Sequence, residues 1–258
     1  NVQVINRVGA LVSDMDELTL HEYGSMEFDN AVAIIGFPSI GLVSSIATSF
    51  LAKELDMSLV AGITSSAFPP YAIVQNGVPM PPVRIYGCTR TNECGVDCDS
   101  IIVLTSEFIP KPESFMDLAD LIVQWCRRNN VHTMITLDGI VQFSPDSYNI
   151  IGVGSTDKAR RMMEELGIES FNDGLVRGLS GMILLKAANE DFDAISLLGS
   201  ARQDAPDPRG AAKIMEALSK ILPELKIDLE PLYTEAEELE KKMLRQNSQS
   251  YDNRDIYG

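Results

Sequence analysis

Ala31-Val32-Ala33-Ile34-Ile35-Gly36-Phe37 (AVAIIGF, residues 31–37) runs seven residues without one polar side chain. A run this short and this rich in β-branched residues reads as a strand buried on both faces, the kind found inside a helix-covered parallel sheet. The chain continues from Ser39 as SIGLVSSIATSFLAKEL, with Leu42, Ile46, Phe50, Leu51 and Leu55 at helical spacing behind Pro38. A buried strand feeding an amphipathic helix is the repeating unit of an α/β fold.

The same alternation carries on through the chain. Leu59–Phe68 and Val83–Cys88 read as strands, and between them FPPYAIVQNGVPMPP holds turns around a short strand, marked by its prolines and by Asn76-Gly77. Ser100–Ser106 is a second continuous apolar run, Glu113–Arg128 a helix with Leu118, Ile122, Trp125 and Cys126 on one side, and Val131–Leu137 a strand. Further strands are expected at Tyr148–Val153 and Ala194–Leu198, and helices at Asp157–Leu166, Leu179–Asn189 and Arg209–Leu222. The pattern predicts one α/β domain over residues 1–224, a three-layer α/β/α sandwich around a mostly parallel mixed sheet.

Residues 225–246 change character. Asp228, Glu230 and Pro231 form a helix start, and Leu232, Ala236, Leu239 and Met243 make a narrow apolar seam. That seam suits either packing on its own domain or pairing with another subunit. Residues 247–258 form a polar tether, at most ~30 Å long over its first nine residues, that closes on Ile256, Tyr257 and Gly258.

Charge narrows the function. With 37 acidic against 21 basic residues, the net charge is −16, which excludes a polyanion as the expected partner because phosphate contacts need clustered Lys and Arg. No apolar run reaches membrane-spanning length and no signal peptide opens the chain, so the expected compartment is the cytoplasm. Cys88, Cys94, Cys98 and Cys126 do not form the two close pairs of a zinc site. Ordinary loop thiols are expected ahead of a local disulfide, with no metal and no cofactor.

The most enzyme-like feature is Gly36-Phe37-Pro38-Ser39-Ile40-Gly41, at a strand-to-helix junction where backbone N–H groups can hold a phosphate. It lacks the Gly-Lys-Ser/Thr of a phosphate loop and the spacing of a dinucleotide fingerprint, so tight turning and close helix packing are the favoured roles of its glycines. Glu107 and Asp138 each follow an expected strand, at the sheet edge where α/β sites collect. Gly36, Phe37, Pro38, Gly41, Glu107 and Asp138 therefore form a possible ligand site, and its alternative function is a phosphate- or nucleotide-binding enzyme. With two histidines in the chain, no catalytic set accompanies it.

Several stretches together resemble the proteasome assembly chaperone 2 family, in its archaeal-type homo-oligomeric branch. They are AVAIIGFPSIGLVSSIATSFLAKEL, SSAFPPYAIVQNGVPMPPVRIYG, SIIVLTSEFIP, TLDGI, GLVRGLSGMILLKAA and DPRGAAKIMEAL. One departure is Ser44, where the family often has glycine. The resemblance implies a phosphorylase-like three-layer fold without established enzymatic activity, self-association, and a role in assembling proteasome core subunits. It also implies a reading of the last residues, because some members are similar to proteasome activators in ending hydrophobic-Tyr-X. Ile256, Tyr257 and Gly258 match that ending, which points to the proteasome core particle α subunits as partner. Physically, tyrosine offers a large rigid contact, isoleucine an anchor, and a carboxylate a charge that a pocket can recognise.

Overall fold

The computed structural model describes residues 4–5, 18–24, 26–89, 100–142, 144, 147–223 and 225–239. Its centre is a ten-stranded sheet in the order β1-β2-β4-β7-β8-β3-β9-β12-β10-β11. These strands are β1 (Val4–Ile5), β2 (Leu18–Tyr23), β3 (Ala31–Gly36), β4 (Ser58–Ser65), β7 (Val83–Thr89), β8 (Ser100–Ser106), β9 (Val131–Val141), β10 (Ile150–Gly154), β11 (Glu169–Ser170) and β12 (Asp193–Ala201). The middle strands β8, β3, β9 and β12 pair in parallel, while β2, β4 and β7 extend the sheet on one side in antiparallel fashion. The sheet is mixed, and its parallel part is the part that the continuous apolar runs encode.

Alternation along β3 sends its side chains into two cores. Val32 and Ile34 join one cluster with Val43, Ala47 and Leu51 of α1 (Val43–Glu54), Met163 of α3 (Asp157–Glu165) and Ile214 and Leu218 of α5 (Pro208–Ile221). Ala33 and Ile35 join the other, with Leu118 and Ile122 of α2 (Phe115–Arg128) and Ile183 of α4 (Gly178–Asn189). Helices thus cover both faces, the three layers expected of strands that are apolar on both sides.

Local signals set the helix starts. Thr156 accepts a hydrogen bond from the Ala159 amide at 3.0 Å and opens α3. Asp207 accepts one from the Gly210 amide at 2.9 Å and opens α5, with Pro208 in its first turn. Helix α1 begins later than Pro38 suggests. A 3-10 turn spans Ile40–Leu42, and Gly41 and Leu42 stand at φ 63° and 51°, so the regular helix starts only at Val43.

Residues 230–239 are helical. Leu232 and Ala236 of the seam are buried, Leu232 within the α1/α5 core, and the Tyr233 hydroxyl bonds Glu216 of α5. Leu232 and Ala236 are thus packed on their own domain, while Leu239 is half-buried. Met243 and the tether lie outside the described residues.

Two strands stand apart from the main sheet. β5 (Ile73–Gln75) and β6 (Val78–Met80) form a separate ribbon closed by Asn76-Gly77, both with positive φ (51° and 79°). That is the backbone a two-residue hairpin turn of the I′ type demands, and Asn-Gly is its preferred sequence. Cys88 is disulfide-bonded, where reduced loop thiols were expected; Cys94 and Cys98 lie outside the described residues. Cys126 is free, and burial pushes its thiol up to about 12, which leaves it inert at neutral pH.

Candidate functional site

The Gly36–Gly41 segment sits at the carboxyl end of β3, as a ligand-binding junction would, but protein atoms occupy its concavity. A Cβ on Gly36 would lie 2.5 Å from the Ser44 carbonyl and 2.6 Å from Thr48. One on Gly41 would lie 2.9 Å from the Arg202 carbonyl, and the Gly41 carbonyl itself accepts the Asp207 amide at 2.8 Å. Ser44 is buried with its hydroxyl 2.6 Å from that of Ser39. These glycines let α1 and the start of α5 close on the sheet, the packing role favoured from sequence.

The two candidate carboxylates share the carboxyl edge of the sheet and are divided by its faces. Glu107 pairs with Arg84 of β7. Arg84 stands opposite Thr105, whose hydroxyl bonds Thr48 of α1 at 2.9 Å, so this pair belongs to the α1 side. Asp138 bonds Ser180 of α4, on the other side, and its Oδ1 accepts the Gly139 amide at 2.8 Å. Asp138 also lies inside a strand rather than after one. β9 runs on to Val141 because β12 pairs with it as far as Ala201, and Gly139 has no side chain because the Ile40 carbonyl would lie 2.3 Å from its Cβ.

Arg84 is the residue that sequence reading missed. Its side chain is 1% exposed, its Nε donates to the Tyr86 hydroxyl at 3.2 Å, and its buried Nη1 has no partner among the described residues. Burial alone would lower its pKa, but Glu107 and Tyr86 hold it above its ordinary value. The available signal was a lone arginine between Val83 and Ile85 in an otherwise apolar strand. Removing the charge of Glu107 leaves Arg84 uncompensated. Glu107→Gln is therefore expected to cost about 2 kcal/mol, below the ~3–5 for a wholly buried pair because Glu107 is 41% exposed. Arg84→Met with Glu107→Gln together should recover part of that loss in urea titration; equal loss in both would refute the charge argument.

Among the described residues no group of three or more His, Cys, Asp and Glu side chains could hold a metal ion, and no helix is long and apolar enough to cross a membrane. The two histidines are engaged separately, His21 with Thr64 and His132 with Thr133. What the edge offers chemically is a set of polar pairs bonded mostly to one another, the Arg84–Glu107 pair on one face and the Asp138–Ser180 pair on the other. The surface offers something different: Tyr71, Val74, Val78 and Ile109 are all more than half exposed, and the Tyr71 ring lies tilted against Phe108, 6.0 Å between centroids. Ile256, Tyr257 and Gly258 lie outside the described residues.

Comparison with known proteins places this geometry among relatives. A profile of the PAC2 family matches residues 33–247. An uncharacterized protein of Methanocaldococcus jannaschii is 32% identical over 231 residues, 89% of this chain and 90% of that one. The crystal structure of Pyrococcus furiosus PbaA, described as an archaeal homolog of proteasome-assembly chaperone, superposes with a TM-score of 0.78 at 33% identity, covering 93% of this chain and 95% of that chain. Pyrococcus furiosus PbaB, an archaeal proteasome activator, gives 0.76 at 21% identity over 91% of this chain and 100% of that chain, a likeness of fold.

Proposed function

The chain belongs to the PAC2 family, and from that premise we propose that it is a cytoplasmic, non-enzymatic proteasome-assembly factor, working as a homo-oligomer. In this reading it docks on α subunits of the proteasome core particle through Ile256, Tyr257 and Gly258, as an assembly chaperone or in an activator-like way. The observation that carries the proposal is 33% identity, across more than nine-tenths of both chains, to a homolog of proteasome-assembly chaperone.

The division of labour follows the chain. The core to residue 224 is the body, residues 225–246 anchor the end of the chain, and residues 247–258 present the docking peptide. Leu232 and Ala236 support the middle part, since they fix the helix to the body just before the polar tether begins. A short tether holds a weakly binding peptide near its target, and several copies on one oligomer multiply that weak contact into avidity. Given ordinary usage, an apolar residue followed by Tyr arises at those two places in roughly one or two chains per hundred, so the ending gains its weight from the family.

Co-purification with proteasome core particles tests both levels. The full chain is expected to bind, and deletion of Ile256–Gly258 to weaken binding about 30-fold or more, the effect of losing a central aromatic anchor. No binding by the full chain overturns the proteasome role; undiminished binding after deletion overturns the tail alone.

A further inference from the structure

The β5–β6 ribbon is an unusual object to leave in water. A two-stranded hairpin is marginal by itself and is normally supported by further strands or a helix. Here, among the described residues, β5 and β6 pair only with each other. Val74 and Val78 stand 63% and 56% exposed on its two strands, with Tyr71 68% exposed at its root. Alternation puts Val74 and Pro79 on one face and Val78 on the other, so both faces present apolar groups.

The two edges differ. In a two-residue hairpin the residues flanking the turn, Gln75 and Val78, exchange hydrogen bonds, and the next pair, Val74 and Pro79, does not. The backbone polar groups of Val74 and Pro79 therefore point outward. On the β6 side that position is a proline with no N–H to give, which blunts the edge. On the β5 side Val74 offers both an N–H and a C=O. One edge is closed to strand addition and the other is open.

Charge identifies the occupant. The chain carries a net charge of −16, yet residues 57–83 contain no Asp, Glu, Lys, Arg or His. Two copies repel each other wherever acidic surfaces meet, and this neutral apolar stretch lets them touch without that cost. A basic partner would find no attraction on it. We propose that the ribbon is the contact between two copies of this chain, β5 lying antiparallel to β5 of the second copy about a two-fold axis near Val74. The four-stranded ribbon so formed is an isologous contact, the same patch used on both sides. This proposal rests on the homo-oligomer reading and names the surface that makes it.

Sedimentation velocity of the full chain, with circular dichroism as a check on folding, tests it. The wild type is expected above its monomer mass of 28.3 kDa. Val74→Pro removes the outward N–H and no hydrogen bond within the ribbon, while fixing φ at a value an edge strand tolerates, and Val74→Asp sets like charges opposite each other. Each is expected to weaken association about 30-fold or more with an unchanged spectrum. A wild type that is monomeric at micromolar concentration overturns the homo-oligomer reading and this proposal with it. An oligomeric wild type whose two variants keep the same mass overturns the ribbon alone, and the second copy then binds elsewhere.

Discussion

Asp207→Ala is expected to destabilise the protein by about 3 kcal/mol, a fall of about 6–12 °C in Tm at ~2–4 °C per kcal/mol for a domain this size. The carboxylate is fully buried, and its oxygens accept from the Gly210 amide at 2.9 Å and the Arg202 amide at 2.9 Å, with the Tyr148 hydroxyl at 3.4 Å. Alanine removes the cap of α5, worth ~1 kcal/mol, and strands backbone donors away from water at ~1–3 kcal/mol each. The Arg202 guanidinium, 3.5 Å from the same carboxylate, loses a counter-charge as well. Asp207→Asn keeps an acceptor for the cap and should lose about half as much. The backbone amide of the same residue, which alanine keeps, donates to the Gly41 carbonyl, so the loss is confined to what the carboxylate holds. Thermal and urea unfolding of both variants decide the matter: a loss below ~1 kcal/mol for Asp207→Ala would mean that the cap alone was at stake.

What could be read from the sequence tracks what each residue announces locally. β8 was legible to the residue, Ser100–Ser106, because every position in it is buried and the composition says so. β2, LTLHEY, was not, since all six of its residues are half-buried and it owes its place to pairing with β4. β9 ran four residues past its expected end because its last stretch is held by β12, some sixty residues away in sequence, and Asp138-Gly139 looks locally like a turn. The site followed the same rule. The packing role of Gly36 and Gly41 was readable from glycine spacing without a lysine. The Arg84–Glu107 pair was invisible, because it exists only through the antiparallel register that sets Arg84 against Thr105. Counting strand ends placed Glu107 and Asp138 on one edge, but only alternation in the assembled sheet puts them on opposite faces.

That separation gives Asp138 its own behaviour. Burial beneath α4 pushes its carboxyl up to about 6, against the smaller opposing effects of its bonds to Ser180 and the Gly139 amide. In the unfolded chain the same group titrates near ~3.9. Between those values the folded state holds a proton that the unfolded state has released, so this group's contribution to stability falls as pH rises from ~4 to ~6 and is flat above. At ~1.36 kcal/mol per pKa unit the loss amounts to as much as about 3 kcal/mol. The paired acids Asp157 and Asp193 run the other way. Their carboxyls are held below the ordinary value, so what they add is lost on acidification, below the window in which Asp138 titrates. Asp138→Asn removes the ionisation while keeping an oxygen for the Gly139 amide. It is expected to raise stability at pH 8 by about 1–3 kcal/mol and to leave stability at pH 4 nearly unchanged. Urea unfolding of both proteins across pH 4–8 measures the difference directly. Parallel curves would show that Asp138 is hydrated in the folded protein; converging curves at low pH would establish that a carboxyl is kept under α4 at a standing cost to the fold.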